Sequence, residues 1–146
     1  MPELPEVETV RAGLERLIGP DAVIARIQLT RRDLRAPIPA HLPRRLAGQT
    51  LSAIRRRAKY LLFATPAGTM LSHLGMTGTW RLAPPGDERD HDHCYLHLGD
   101  GRRLAFRDPR RFGLLDYIAP GAEATHPRLV ELGPEPLDPE AFSTAY

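Results

Sequence analysis

The chain opens Met-Pro-Glu-Leu-Pro-Glu-Val-Glu, and Pro2, Glu3 and Glu6 are residues whose types and spacing could do chemistry. A small second residue such as proline allows the initiator methionine to be clipped. Removal of Met1 would leave Pro2 as a free secondary amine. An α-amino group titrates at about 8, so a neutral, nucleophilic fraction exists near neutral pH. Its attack on an electrophilic carbon would give a covalent intermediate. From a secondary amine that intermediate is an iminium, which cannot shed its charge by losing an N–H proton and so acts as an electron sink. Glu3 and Glu6 stand close by in sequence, as an acid/base pair should. The same residues also suit a plain helix start, with Pro5 in the first turn and Glu6 and Glu8 near the positive end of the helix dipole. Read alone, the segment leaves both meanings open.

Elsewhere the cationic residues are unevenly placed. Net charge is only +2 over 146 residues, but residues 31–111 hold 16 basic and 7 acidic side chains, a local balance of +9. A basic body between acidic ends suits a polyanion, nucleic acid above all, or else a solvated arginine-rich surface. Nineteen of the twenty cations are arginine, and Lys59 is the exception. Lysine can lose its proton in a site where arginine effectively cannot, which singles Lys59 out. Cys94 is the one cysteine, so neither an intrachain disulfide nor a multi-cysteine zinc site can form within these residues. The length fits one domain with a real core. No apolar run is long enough to cross a membrane, and the acidic start does not read as a signal peptide, so an intracellular protein is expected.

These residues need elements to hold them. Leu4, Val7, Val10, Leu14, Leu17 and Ile18 recur at helical spacing, and Gly19-Pro20 ends the run. One amphipathic helix is therefore expected directly behind Pro2 and Glu3. Strands are predicted at 22–29, 51–57, 60–65, 69–74, 79–82, 95–98, 103–106 and 114–118, with a hairpin at Asp100-Gly101. Residues 31–40 read as a loop, 41–48 as a short helical turn and 127–132 as a brief helix. Many short strands with turn signals between them predict a mainly β fold with flanking helices: an antiparallel β-sandwich preceded by an N-terminal amphipathic helix. Residues 133–139 are proline-rich and acidic and read as the start of a linker.

Arg56-Arg57-Ala58-Lys59-Tyr60-Leu61-Leu62, His73-Leu74-Gly75-Met76-Thr77-Gly78, His91-Asp92-His93 and Asp108-Pro109-Arg110-Arg111-Phe112-Gly113 follow the opening in that order, and Leu132–Leu137 closes the set. Together they resemble the bacterial formamidopyrimidine-DNA glycosylases, also called Fpg or MutM, over essentially the whole chain. The resemblance implies a bifunctional DNA glycosylase and abasic-site lyase of base-excision repair, acting on oxidised purines such as 8-oxoguanine and formamidopyrimidines. It implies that Pro2 attacks C1′ of the damaged nucleoside and forms a Schiff base that carries β- and δ-elimination. Glu3 would move protons, Glu6 would stand near the site, and Lys59 would contact phosphate beside the lesion. Met76, Arg110 and Phe112 would fill the space that a flipped nucleotide leaves, and His91 would hold a phosphate. Core packing is the competing meaning for Met76 and Phe112. A metal pair is the competing meaning for His91 and His93, although no metal site is assigned to this chain.

The resemblance also implies boundaries and partners. Residues 1–132 would be the N-terminal catalytic sandwich and 133–146 the start of an interdomain linker. The family continues into a helical domain with a four-cysteine zinc finger, so structural zinc is expected there and no cofactor within these residues. On this reading the chain is truncated, and by itself weakly active or inactive. The expected partner is damaged double-stranded DNA, bound by a monomer in the bacterial cytoplasm at the nucleoid, with no membrane. Two rival readings are an endonuclease VIII-type glycosylase for oxidised pyrimidines and a non-catalytic module that binds damaged DNA.

Overall fold

A computed structural model of the chain describes residues 4–130 and Leu132. Pro2 and Glu3, and the expected linker from residue 133, lie outside the described residues. The elements run α1 (Leu4–Ile18), β1 (Ile24–Leu29), α2 (Leu42–Leu46), β2 (Ala53–Arg57), β3 (Tyr60–Thr65), β4 (Gly68–His73), β5 (Thr79–Leu82), β6 (Asp92–Leu98), β7 (Arg103–Arg107) and β8 (Leu114–Ile118), then a 3₁₀ turn at Glu123–Thr125. The strands form two antiparallel sheets, ordered β1-β6-β7-β5 and β2-β3-β4-β8. This is the helix-led antiparallel sandwich that the strand spacing predicts.

One apolar cluster fills the space between the sheets. Phe63 and Met70 from one sheet meet Leu96, Leu104 and Phe106 from the other, all fully buried. Trp80 sits among them, 5.1 Å from Phe63 and 5.2 Å from Phe106 between ring centroids. Its Nε1 donates to Ser72 Oγ at 3.0 Å, a polar tie across the layer that satisfies the buried indole. Strand β4 is buried on both faces because Leu71 points away from the core into a smaller cluster with Leu62, Ile118 and Leu129.

Helix α1 buries Val7, Leu14 and Ile18 along one stripe against β2. Leu17, expected in that stripe, lies outside it and is exposed. Residues 7, 14 and 18 keep the i, i+3/i+4 spacing that a buried face requires, and 17 falls beyond its edge. Gly19, at φ 76°, donates to Glu15 O at 3.0 Å and closes the helix in the left-handed conformation open to glycine. Arg102 reaches across to the Leu17 and Ile18 carbonyls, a cation on the negative end of the helix. At the other end, Glu8 accepts from Arg11 and from Arg56 Nε (3.0 Å), which ties the helix start to the end of β2. Those bonds to Arg11 and then Arg56 hold the Glu8 carboxyl below its ordinary range.

Several boundaries differ from the sequence reading, three strand starts and one expected helix among them. Strand β1 begins at Ile24 and β2 at Ala53, with Val23 and Thr50 forming only an isolated bridge before them. Strand β6 begins at Asp92 rather than 95, because a bulge between Asp92 and Cys94 breaks the alternation that would reveal a strand. Residues 127–130, inside the expected 127–132 helix, are a turn and not a helix. The Arg128 amide is drawn to His126 Nδ1 at 3.2 Å, and among the described residues a single i to i+4 bond, Val130 N to His126 O, is made there. A local side-chain acceptor of this kind competes with helical pairing.

A candidate nucleic-acid interface at one end of the sandwich

Two loops cross between the sheets side by side. Residues 74–78 lead from β4 to β5, and residues 108–113 lead back from β7 to β8. β4 pairs with β8 and β5 pairs with β7, so both crossings lie at the same end of the sandwich. The register places more residues there. Arg57 and Tyr60, which flank the tight turn holding Lys59, align with His73 and Leu114 across the sheet. Asp92, at the start of β6, pairs with Arg107 at the end of β7. Glu8 brings the first turns of α1 to Arg56 beside that turn. Lys59, His91, Met76, Arg110, Phe112 and the start of α1 therefore share one end.

The two crossings touch through their backbones. A Cβ on Gly75, whose φ is +63°, would lie 2.5 Å from Gly113 N, and one on Gly113 would lie 2.5 Å from His73 O. Only glycine admits that approach. Beneath them the Phe106 ring lies against both Gly78 and Gly113. The loops thus rest on a rigid floor while their tips face solvent. Met76 is 48 % exposed and Phe112 43 %, which removes core packing as their role. Arg110 is exposed as well, with its guanidinium carbon 5.2 Å from the Phe112 ring centroid, a cation–π contact.

His91 is exposed and adopts φ 70°, just ahead of β6. His93 is buried, with Nε2 2.8 Å from the Asp108 carbonyl oxygen. The two imidazoles stand 6.4 Å apart between centroids and do not share a strand face, because His91 lies outside the strand. The backbone leading to His91 is fixed by Asp92. Its Oδ2 accepts from Arg81 Nη2 (2.7 Å), Tyr95 Oη (2.8 Å) and the Arg89 amide (3.0 Å). Lys59 is half-buried in the β2–β3 turn behind Ala58, at φ 51°. Glu6 is exposed in the first turn of α1.

The end carries positive charge. Arg32, Arg35, Arg110 and Arg111 are exposed, and the Arg35 amide donates to Gly113 O at 3.2 Å, which sets that loop beside the crossings. His73 registers the field from within. Burial lowers its pKa from 6.5 to about 4, and the charges of Arg35, Lys59 and Arg128 push in the same direction. Its Nδ1 accepts from the Gly75 amide at 3.0 Å, which requires that nitrogen to be unprotonated.

Three residues at this end carry structural weight that motif reading alone misses: Asp108, Thr77 and His73. Asp108 begins the 108–113 segment and reads in the sequence only as part of that motif, with no role of its own. A carboxylate just ahead of a run of exposed side chains gives no sign of its own burial.

Two packed sheets, a leading helix and a cationic end studded with exposed apolar side chains define a β-sandwich with a built loop face. A family model described as the formamidopyrimidine-DNA glycosylase N-terminal domain matches residues 1–115, and the chain belongs to that family. A formamidopyrimidine-DNA glycosylase of Bdellovibrio bacteriovorus is 59% identical over 140 residues, covering 96% of this chain and 51% of that protein. One from Stenotrophomonas maltophilia is 52% identical over 148 residues, covering 100% of this chain and 53% of that protein. The chain thus spans about half the length of the curated relatives it matches. Among solved structures, Lactococcus lactis Fpg (MutM) with DNA containing N7-benzyl-Fapy-dG superimposes with TM-score 0.74 at 36% identity, over 83% of this chain and 45% of that one. MutM with DNA containing carbocyclic 8-oxo-G gives the same figures.

Proposed function

We propose that this chain is the nucleophile-bearing half of a bifunctional DNA glycosylase and abasic-site lyase that removes oxidised purines, and that it binds damaged duplex DNA across the loop face. The observation that carries this reading is the exposure of Met76, Arg110 and Phe112 on two adjoining loops, beside His91 and Lys59. Chemistry on a base requires the nucleotide to leave the stack. Apolar wedges then take up the vacated space and kink the duplex. Met76 and Phe112 supply the wedges, and Arg110 supplies donors to the partner base. His91, Lys59 and the exposed arginines hold phosphates, which positions the duplex without reading its sequence.

In this reading residues 1–132 form the catalytic sandwich and 133–146 begin a linker. The Pro2 nitrogen bonds to C1′ as the glycosidic bond breaks, and the base departs with its electron pair and a proton. Opening of the sugar at O4′ leaves an iminium at C1′. Loss of a C2′ proton expels the 3′ phosphate, and a second elimination expels the 5′ phosphate. Glu3 moves protons at the base or the sugar, Glu6 stands close to the site, and Lys59 assists beside the phosphate. Met1 must be absent, because an acylated Pro2 nitrogen is an amide with no nucleophilic lone pair.

Zinc finds no ligand in the one cysteine of this chain. A single cysteine cannot build a four-cysteine zinc site, and Cys94 is fully buried, where burial pushes its thiol up to about 12. The structural zinc of the family belongs, on this account, to a separate helical domain. The chain acts as a monomer on chromosomal DNA in the bacterial cytoplasm. Alone it is expected to bind weakly, because the remaining length of the curated relatives would add phosphate contacts of its own.

Lesion preference tests the purine reading against the pyrimidine one. Excision from matched duplexes carrying 8-oxoguanine or thymine glycol should favour 8-oxoguanine at least about tenfold. Equal or reversed rates would assign the chain to the pyrimidine class. Binding of both duplexes with excision of neither by the full-length protein that carries this half would make it a binding module.

A further inference from the structure

Asp108 is fully buried, yet every polar atom it has is engaged with a different part of the loop face. Its Oδ1 accepts from Thr77 Oγ1 at 2.8 Å, next to Met76. Its Oδ2 accepts from the Gly113 amide at 2.8 Å, next to Phe112. Its own amide donates to His91 O at 3.0 Å, and its carbonyl accepts from the Arg111 amide at 3.2 Å. The same carbonyl lies 2.8 Å from His93 Nε2. Thr77 Oγ1 also accepts from the Arg110 amide at 3.3 Å, so the link between the two crossings is made twice.

We propose that Asp108 is a positioning residue that locks the Met76 loop, the Arg110–Phe112 loop and the His91 segment in one register, so that the three loops move as a unit. Its functional consequence rests on the reading above: wedge, partner-base donor and phosphate contact then enter the duplex together rather than one at a time. Residues 74–78 and 108–113 are separate crossings between the sheets, and His91 lies in the β5–β6 connection. The Asp108 side chain and backbone bond directly within all three. A buried carboxylate is retained only where its acceptors are filled, and here two donors from two loops fill them.

The coupling is tested first without DNA, by amide hydrogen exchange on the folded chain. Thr77→Val removes one hydroxyl from the 74–78 loop and keeps its shape. It should speed exchange at Arg111 and Gly113, across the gap on the other loop, at least about tenfold. Thr77→Ser keeps the hydroxyl and should restore protection. Asp108→Ala should release both loops together, and Thr77→Val serves if that variant does not fold. Exchange that rises in 75–79 alone, with 110–113 unchanged, would overturn the proposal.

The second readout uses DNA, with 2-aminopurine opposite an 8-oxoguanine to report insertion. Thr77→Val should slow insertion and excision about tenfold while borohydride trapping on a single-stranded abasic oligonucleotide, which has no void to fill, changes less than about threefold. A parallel loss in both assays would mean a merely structural role and would also overturn it. If the wild-type chain fails to engage DNA while the exchange result holds, the functional reading fails and the loop coupling stands.

Discussion

Met76 and Phe112 are large apolar side chains held in solvent at 48 % and 43 % exposure. A folded chain gains nothing from leaving them there, so their replacement separates stability from function. Met76→Ala and Phe112→Ala should each change stability by no more than about 0.5 kcal/mol, as surface substitutions do. Excision from a lesion duplex should fall about tenfold or more. Phe106→Ala, which opens the floor beneath the same loops, should cost about 3–5 kcal/mol by urea denaturation. A large stability loss at Met76 or Phe112 would return them to a packing role. At this scale the sequence is informative about identity and silent about burial. Apolar character at 76 and 112 is equally compatible with core and surface, and only the fold decides. The His91–His93 spacing suggests a shared strand face, but the left-handed backbone at His91 removes it from the strand. The role of Asp108 is illegible in sequence because its partners, Thr77, His91 and Gly113, come from three separate stretches of chain.

At the scale of elements, the informative feature is that both crossings between the sheets fall at one end and are fastened from below. His73 ends β4 there and holds the Gly75 amide through Nδ1. Protonation would place a donor against a donor and add a buried charge beside Arg35 and Lys59. The folded chain therefore refuses, until about pH 4, a proton that the unfolded chain accepts from 6.5 downward. Stability from this group is complete above pH 6.5 and is lost as pH falls through that window. Urea midpoints measured at about pH 7, 5.5 and 4 should decline in that order, and His73→Gln should flatten the decline. A slope unchanged by the substitution would assign the acid sensitivity to other groups. Helix α1 and strands β3, β4, β5, β7 and β8 are legible in the sequence to within a residue, because alternation and helical spacing are strong in them. The start of β6 is hidden by its bulge, and 127–132 reads as a helix although a histidine acceptor captures an amide there.

Across the whole molecule, a net charge of +2 conceals a basic centre between acidic flanks, and the fold gathers part of that centre onto one loop face. Motif order along the chain points to that face without any geometry, although the segments are separated in sequence and meet only through the strand register. Membership of the formamidopyrimidine-DNA glycosylase family follows from the match over residues 1–115, while the chain spans about half of its curated relatives. The proposal that unites these observations is that the amine of Pro2 forms a covalent bond to DNA. The direct measurement is borohydride trapping of the Met1-free chain on an abasic duplex, followed by peptide mapping of the adduct. The account predicts a stable cross-link on the N-terminal peptide at Pro2, absent when the terminus is acetylated or Met1 is retained. An adduct carried by Lys59, or one that survives acetylation of the terminus, would contradict it.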